Sequence, residues 1–258
     1  MIDNTPLVAV GGGLFAVMAL AYAGAFALRT ARSRKRGDAG STDESYVLSG
    51  VFGLLALLMA FAFSLAIGRY ENRRELAIEE ANAIGTMSTR LALLDAGQRM
   101  PLANSLSAYA ALRAETGRVE DDALWQASAT RAAAQCGAFG DGLFTTLHGM
   151  PPDTRAPLLV QAYNDMCDIA TSRHAARTAR LPGEVLLLLA LYCCAGAAML
   201  GTAHGGTGQR HLFGSALFFA LLAAAFTTVL DLDRPRGGAI LVPQDELETV
   251  AAGLSKAR

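Results

Sequence analysis

Charge is missing from four long stretches of this 258-residue chain, 6–28, 46–68, 185–203 and 212–230, which hold no Asp, Glu, Lys or Arg. Each is long enough to cross a hydrocarbon core of about 30 Å, which takes roughly 20 residues at 1.5 Å rise. A soluble core could bury one such run. Four of them, with a positive mean hydropathy overall, would leave too little polar surface to cover them. No Lys or Arg precedes the first run, and that run is too long for the apolar region of a signal peptide. Ala21, Tyr22 and Ala23 are therefore not expected to mark a cleavage site, and the segment reads as an uncleaved helix. A net charge of −1 offers no electrostatic footprint for nucleic acid.

Other absences narrow the chemistry. There is no HExxH, GxSxG, GxxxxGK(S/T), CxxC or dinucleotide fingerprint, so no enzyme, cofactor or metal is expected. Of the four cysteines, Cys193 and Cys194 are neighbours in an apolar run while Cys136 and Cys167 stand alone, which suits small apolar fillers. The glycine-rich segment from His204 to Gly208 reads as a short flexible hairpin between the last two membrane helices rather than a phosphate loop. No stretch joins β-branched residues to strict alternation, so the expected fold is all-α. It is a polytopic membrane protein, with four transmembrane helices and a helical extramembrane domain between helices 2 and 3. The boundaries are 1–68 for the first two membrane helices and their basic loop, 69–182 for the helical domain, 183–233 for the last two membrane helices and 234–258 for a C-terminal tail.

Helical periodicity organises the middle. Leu76, Ile78, Ala81, Ile84 and Met87 recur after Gly68 with no proline before Pro101, so the second membrane helix is expected to leave the bilayer as one long rod. Gly97 and Pro101 punctuate its end, and Leu102, Leu106, Tyr109 and Leu112 mark a second extramembrane helix. Asp121 and Asp122 suit the start of a third, with Leu124, Trp125, Ala132 and Phe139 as its apolar face and a break near Gly140 or Gly142. After Pro151 and Pro152, with Asp153 or Thr154 as cap, a fourth carries Leu158, Leu159, Tyr163, Met166 and Ile169. Glu71, Arg74, Glu75, Glu79 and Glu80 read as a wet helix face worth about 0.2–0.5 kcal/mol per pair. Asp165 and Asp168 share one face and could pair with Arg73 or Arg74, or face water. Asp231, Asp233 and Arg234, where the last helix leaves the membrane, read as a structural charge clamp onto the middle domain.

The first membrane helix carries Gly11, Gly12 and Gly13, which packing against another helix would explain. The second carries two stripes. Ala56, Ala60, Ser64 and Gly68 permit close helix contact, while Gly53, Leu57 and Phe61 could face a lumen, where rings of Leu57 and Phe61 would gate by dewetting. The same side chains could instead face lipid. Arg69, Glu71 and Arg73 would stand at one mouth, with mixed sign.

The segments SLAIGRYENRRELAIEEANAIGT (64–86), AYNDMCDIATSRHAARTARLPGEVLLLL (162–189) and LDLDRPRGGAI (230–240), with the two-plus-two helix layout, resemble the bacterial bestrophin-like domain family, a branch related to the bestrophin channels. The resemblance implies copies of the chain, five in bestrophins, around an axial pore lined by the second membrane helix. It implies a hydrophobic neck at four-residue spacing ahead of an Arg-aromatic pair. Arg69 and Tyr70 fit that pair, which places the neck at Gly53, Leu57 and Phe61, with Ser64 beyond; Gly53 supplies no bulky side chain, so two rings remain. The acidic tail that forms a calcium clasp in animal members has no counterpart after Asp245, Glu246 and Glu248.

The resulting expectation is a homo-oligomeric, pentameric ion channel of the bacterial inner membrane, with the lipid bilayer, its own copies and permeant inorganic ions as partners. Anions are the default by analogy, and cations are an alternative. The competing reading is a membrane-anchored interaction or sensory module without conductance. Sidedness is pulled two ways. Arg29, Arg32, Arg34, Lys35 and Arg36 argue for a cytoplasmic first loop, whereas Arg69, Arg73, Arg74, Arg173, Arg177, Arg180, Arg234 and Arg236 flank the opposite side. The resemblance implies a cytoplasmic middle domain, while an outside one could oxidise Cys136 and Cys167 if they are close enough.

Overall fold

The structure, a computed structural model, describes residues 6–36, 43–151, 154–207, 211–236 and 238–256. The described residues form α1 (Leu7–Arg36), α2 (Asp43–Leu91), α3 (Ala96–Arg118), α4 (Asp122–His148), α5 (Arg155–Thr178), α6 (Gly183–Thr207), α7 (Leu212–Asp233) and α8 (Asp245–Lys256), with no strand among them. Helices α1, α2, α6 and α7 are long and apolar enough to cross a membrane. The protein is thus an all-α, multi-pass membrane protein. With no proline and a run of good helix formers, α2 continues for 49 residues, about 74 Å at 1.5 Å per residue. The chain divides into two units, one of Met1–Arg69 with Arg180–Ile240, the other of Tyr70–Ala179 with Leu241–Arg258.

In the first unit α1 lies against α6 and α7. The close approach rests on glycine. A Cβ on Gly201 would run into the carbonyl of Tyr22, and one on Gly205, a turn later, would sit 2.8 Å from the carbonyl oxygen of Phe26. Small residues at such four-residue spacing let two backbones touch where lipid offers no hydrophobic drive to association. This corrects the hairpin reading for residues 204–207. The helix α6 continues to Thr207, because Gly205 is held by packing. On α1, a Cβ on Gly11 would lie 2.8 Å from Cγ2 of Thr227, whereas Gly12 and Gly13 face open space, so packing explains only Gly11 of the three. Met18, Leu189, Cys193 and Phe219 are buried, and Tyr22 hydrogen-bonds Nδ1 of His204 at 2.9 Å.

The second unit packs the latter part of α2, α3, α4, α5 and α8 around Ile84, Met87, Leu91, Leu106, Tyr109, Phe139, Leu143, Leu159, Met166 and Leu247. Full burial of each large apolar side chain contributes about 1.5–3 kcal/mol. The buried stripe on α2 runs Ala77, Glu80, Ala81, Ile84, Met87 and Leu91, while Ile78 is exposed. Pro101 falls inside α3, which starts at Ala96 after the carbonyl of Asp95 accepts from Gln98 and Arg99. At the sixth residue of α3, proline removes the hydrogen bond that its amide would give the Gly97 carbonyl, and the helix continues through it. Asp121 caps α4 by accepting from the Leu124 amide at 2.8 Å, worth about 1 kcal/mol.

Helix α4 does not break at Gly140 or Gly142. A Cβ on Gly140 would strike the Tyr163 ring, so glycine there makes room for α5. Thr154 precedes α5 without a side-chain cap, and Asp153 and Gly208 lie outside the described residues. The segment expected only as a tail contains α8, with Asp245, Glu246 and Glu248 in its first turn and Leu247 buried.

Candidate functional site: the open face of the second helix

Within the membrane unit α2 turns Leu55, Ala62 and Ala66 inward, each no more than 2% exposed. At about 100° per residue these three lie opposite Gly53, Leu57, Phe61 and Ser64, which fall within about 80° of one another. All four are exposed, Leu57 at 53% and Phe61 at 61%. Ala56, Ala60 and Gly68 flank them and are exposed as well. The two stripes read from the sequence thus merge into one uncharged, uncovered face, and the intrachain contacts of α2 are made elsewhere. Phe52, for instance, meets the Phe218 ring at 5.1 Å between centroids and lies where a Cβ on Gly196 would fall, at 2.9 Å.

By helical register the open face continues beyond Gly68 as Glu71, Glu75, Glu79 and Asn82, all exposed. Of the arginines of this stretch, Arg74 is exposed at the flank of the face, in register with Ala56, while Arg69 and Arg73 are placed differently. Arg69 is half-buried, with Nε 4.0 Å from a carboxylate oxygen of Asp233. Arg73, expected at the mouth, is buried. Both Asp233 oxygens also accept from the Leu181 amide at 3.0 Å, and Asp231 accepts from the Ile240 amide at 3.5 Å. Asp231, Asp233 and Arg234 are all buried, and a Cβ on Gly238 would collide with the Asp231 carboxylate. The bonds of these two carboxylates pin the start of the 181–183 link and the 238–240 segment to the end of α7.

Asp165 and Asp168 are exposed beside Glu79 and Asn82, and among the described residues neither has an ion pair. The buried charge that sequence reasoning assigned to a wet face is Glu80. Fully buried, it accepts from Nε of Arg113 and Nη1 of Arg173, and Arg173 also donates to Oε1 of Gln244. The Gln244 amide in turn donates to the Val242 carbonyl at 3.0 Å. Burial opposes the charge on Arg113, but the Glu80 carboxylate outweighs it and raises that guanidinium above its ordinary pKa. Burial, with the Glu80 charge second, also keeps the Tyr109 hydroxyl protonated well beyond its usual range. One signal pointed here: Glu80 sits three residues after Ala77 and four before Ile84, on the apolar stripe.

Cys136 and Cys167 do not stand alone. Their sulfurs meet at 3.0 Å between α4 and α5.

A family model described as Bestrophin-like domain matches residues 7–247. No curated protein matches the sequence. Among solved structures, the chain is similar to crystal structures of a bacterial bestrophin homologue from Klebsiella pneumoniae. A tyrosine-to-alanine variant of that protein gives a TM-score of 0.69 at 14% identity, over 94% of this chain and 97% of that one. A leucine-to-threonine variant gives 0.68 at 13% identity, over 97% and 98%. At such identity the likeness is one of fold.

Proposed function

We propose, from the premise that this chain belongs to the bestrophin-like domain family, that it is an ion channel whose pore is lined by α2 in a ring of identical copies, five by analogy with bestrophins. The observation that carries the reading is the open face of α2. A membrane helix whose uncharged side is left uncovered by its own chain needs lipid, another copy or a lumen against it. Within the stripe Gly53, Leu57, Phe61 and Ser64 the bulky members are Leu57 and Phe61, so around an axis they form two apolar rings, a constriction that gates by dewetting. Gly53 widens the pore on one side of the rings and Ser64 offers a hydroxyl on the other. Arg69, tied to Asp233, braces α2 against the end of α7 rather than lining the pore.

The charge pattern of the same face supports cations over the anions suggested by analogy. Glu71, Glu75 and Glu79 follow the neck in register, while Arg69 and Arg73 turn away from it and Arg74 is exposed only at its flank, so carboxylates outnumber the basic groups there three to one. Rings of carboxylates concentrate cations at a mouth and repel anions. The 69–182 segment is proposed as the extramembrane domain, on the cytoplasmic side of a bacterial inner membrane.

The test is flux from liposomes containing purified protein, with cation-selective and anion-selective readouts beside empty vesicles and a Phe61→Ala variant. Flux that rises in the variant supports a pore gated at Phe61. Silence in both proteins, with the oligomer intact, rejects the channel in favour of a membrane-anchored module without conductance.

A further inference from the structure

We infer that Cys136 and Cys167 are a peroxide-oxidisable thiol pair that closes a disulfide between α4 and α5.

The geometry is already that of a pair poised to bond. The sulfurs lie 3.0 Å apart, about 1 Å beyond a disulfide bond length of roughly 2.05 Å, although the residues are 31 positions apart in sequence. Two helices hold them there independently. On α4, Cys136 is one turn before Gly140, the site where the missing side chain admits Tyr163 of α5. On α5, Cys167 is one turn after that same Tyr163. The close approach of α4 and α5 at Gly140 therefore sets the distance between the thiols.

The two sulfurs are not equivalent. Cys136 is buried, and its hydrogen bond with Cys167, with burial second, raises the thiol well above its ordinary pKa. Cys136 is the partner that keeps its proton. Cys167 is half-buried and reachable from outside the core, so it is the sulfur that meets an oxidant first. Cys193 and Cys194 provide an internal contrast. They sit in the apolar α6 on adjacent positions, where a helix points side chains about 100° apart and no bond can close between them.

The chemistry balances with a hydroperoxide as the oxidant. Cys167 gives up its proton and the thiolate attacks one peroxide oxygen; an S–O bond forms, the O–O bond breaks, and the departing hydroxide takes that proton as the first water. Cys136 then gives up its proton and attacks the Cys167 sulfenic sulfur. An S–S bond forms, the S–O bond breaks, and the departing hydroxide takes the proton as water. Two thiols and one hydrogen peroxide become one disulfide and two waters, a two-electron oxidation.

The experiment treats full-length protein in detergent with hydrogen peroxide, then counts free thiols with a maleimide under denaturing conditions and maps the linked peptides. The expected result is loss of two of the four thiols in each chain, a Cys136–Cys167 peptide pair, and recovery of both thiols with dithiothreitol. Cys136→Ser is expected to hold Cys167 as a sulfenic acid that dimedone captures, and Cys167→Ser to leave Cys136 unreactive. Four free thiols after treatment, loss confined to Cys193 and Cys194, or linkage only between chains would each overturn the proposal, and the wild-type thiol count decides it whether or not either variant folds.

Discussion

Glu80 on α2 and Arg173 on α5 are 93 positions apart in sequence and form an ion pair in which Glu80 is fully buried, with Arg113 of α3 on the other carboxylate oxygen. One carboxylate thus holds two guanidiniums in the core of the second unit. Removing its charge leaves two half-buried guanidiniums facing each other, which is the costly way to break such a group. Glu80→Gln is expected to destabilise the protein by about 3–5 kcal/mol, read by denaturant or thermal unfolding in detergent. The neighbouring Glu79→Gln, at an exposed position, should stay within about 0.5 kcal/mol of wild type. Equal effects would remove the ion pair from the account of stability.

Two glycines three residues apart on α4 should respond with opposite sign. Gly140→Ala forces the Tyr163 ring to move and is expected to cost about 1–3 kcal/mol, as overpacking does. Gly137 has open space around its missing Cβ, so Gly137→Ala is expected to stabilise by about 0.5–1 kcal/mol through helix propensity alone. Thermal midpoints of the two variants beside wild type check the sign of each.

A similar contrast applies to the membrane helices. The obstacle to a side chain at Gly201 is the backbone carbonyl of Tyr22, which has no rotamer to escape into. Gly201→Ala should therefore push α6 away from α1 and lower thermal stability in detergent by several degrees, equivalent to about 1–3 kcal/mol. Gly12→Ala, in open space, should be silent. A harmless Gly201→Ala would mean that α1 and α6 do not approach backbone to backbone.

Selectivity offers a test separate from gating. If ions pass along the open face of α2, replacing Glu71 and Glu75 together with Gln should lower the cation-to-anion permeability ratio without reducing oligomer yield. Reversal potentials across a salt gradient measure it. An unchanged ratio would take these carboxylates off the ion path.

How far the fold could be read in advance depended on where the deciding interaction lay. The 49-residue rod of α2 was legible because its cause is local: about six charge-free turns, a further run of good helix formers and no proline. The four membrane helices were legible for the same reason. Gly140, Gly142, Pro101 and Gly205 misled, because each is a helix breaker by propensity; Gly140 and Gly205 are overruled by the neighbours they touch, and the helices continue through Gly142 and Pro101. The Cys136 and Cys167 contact follows no spacing rule, since it is made by two helices meeting. Glu80 and α8 are different. The stripe Ala77, Ala81, Ile84 already passed through Glu80, and the acidic start at Asp245 with Leu247, Val250, Ala251 and Leu254 at helical spacing already outlined a terminal helix. Around α2 the periodic pattern showed which residues share a face, and only the folded chain showed that this face is left bare.

The bond from Arg173 to Gln244 also imposes an order on biosynthesis. The second unit is assembled from two pieces of chain, and everything in α6 and α7 is translated between them. While the ribosome is still delivering those two membrane helices, Arg173 lacks its glutamine partner and the slot for Leu247 in the core stands open to water. The unit can therefore finish folding only after α7 and the 241–247 segment have been synthesised, so a nascent chain stalled at α7 would present an unfinished surface for chaperones and proteases to recognise.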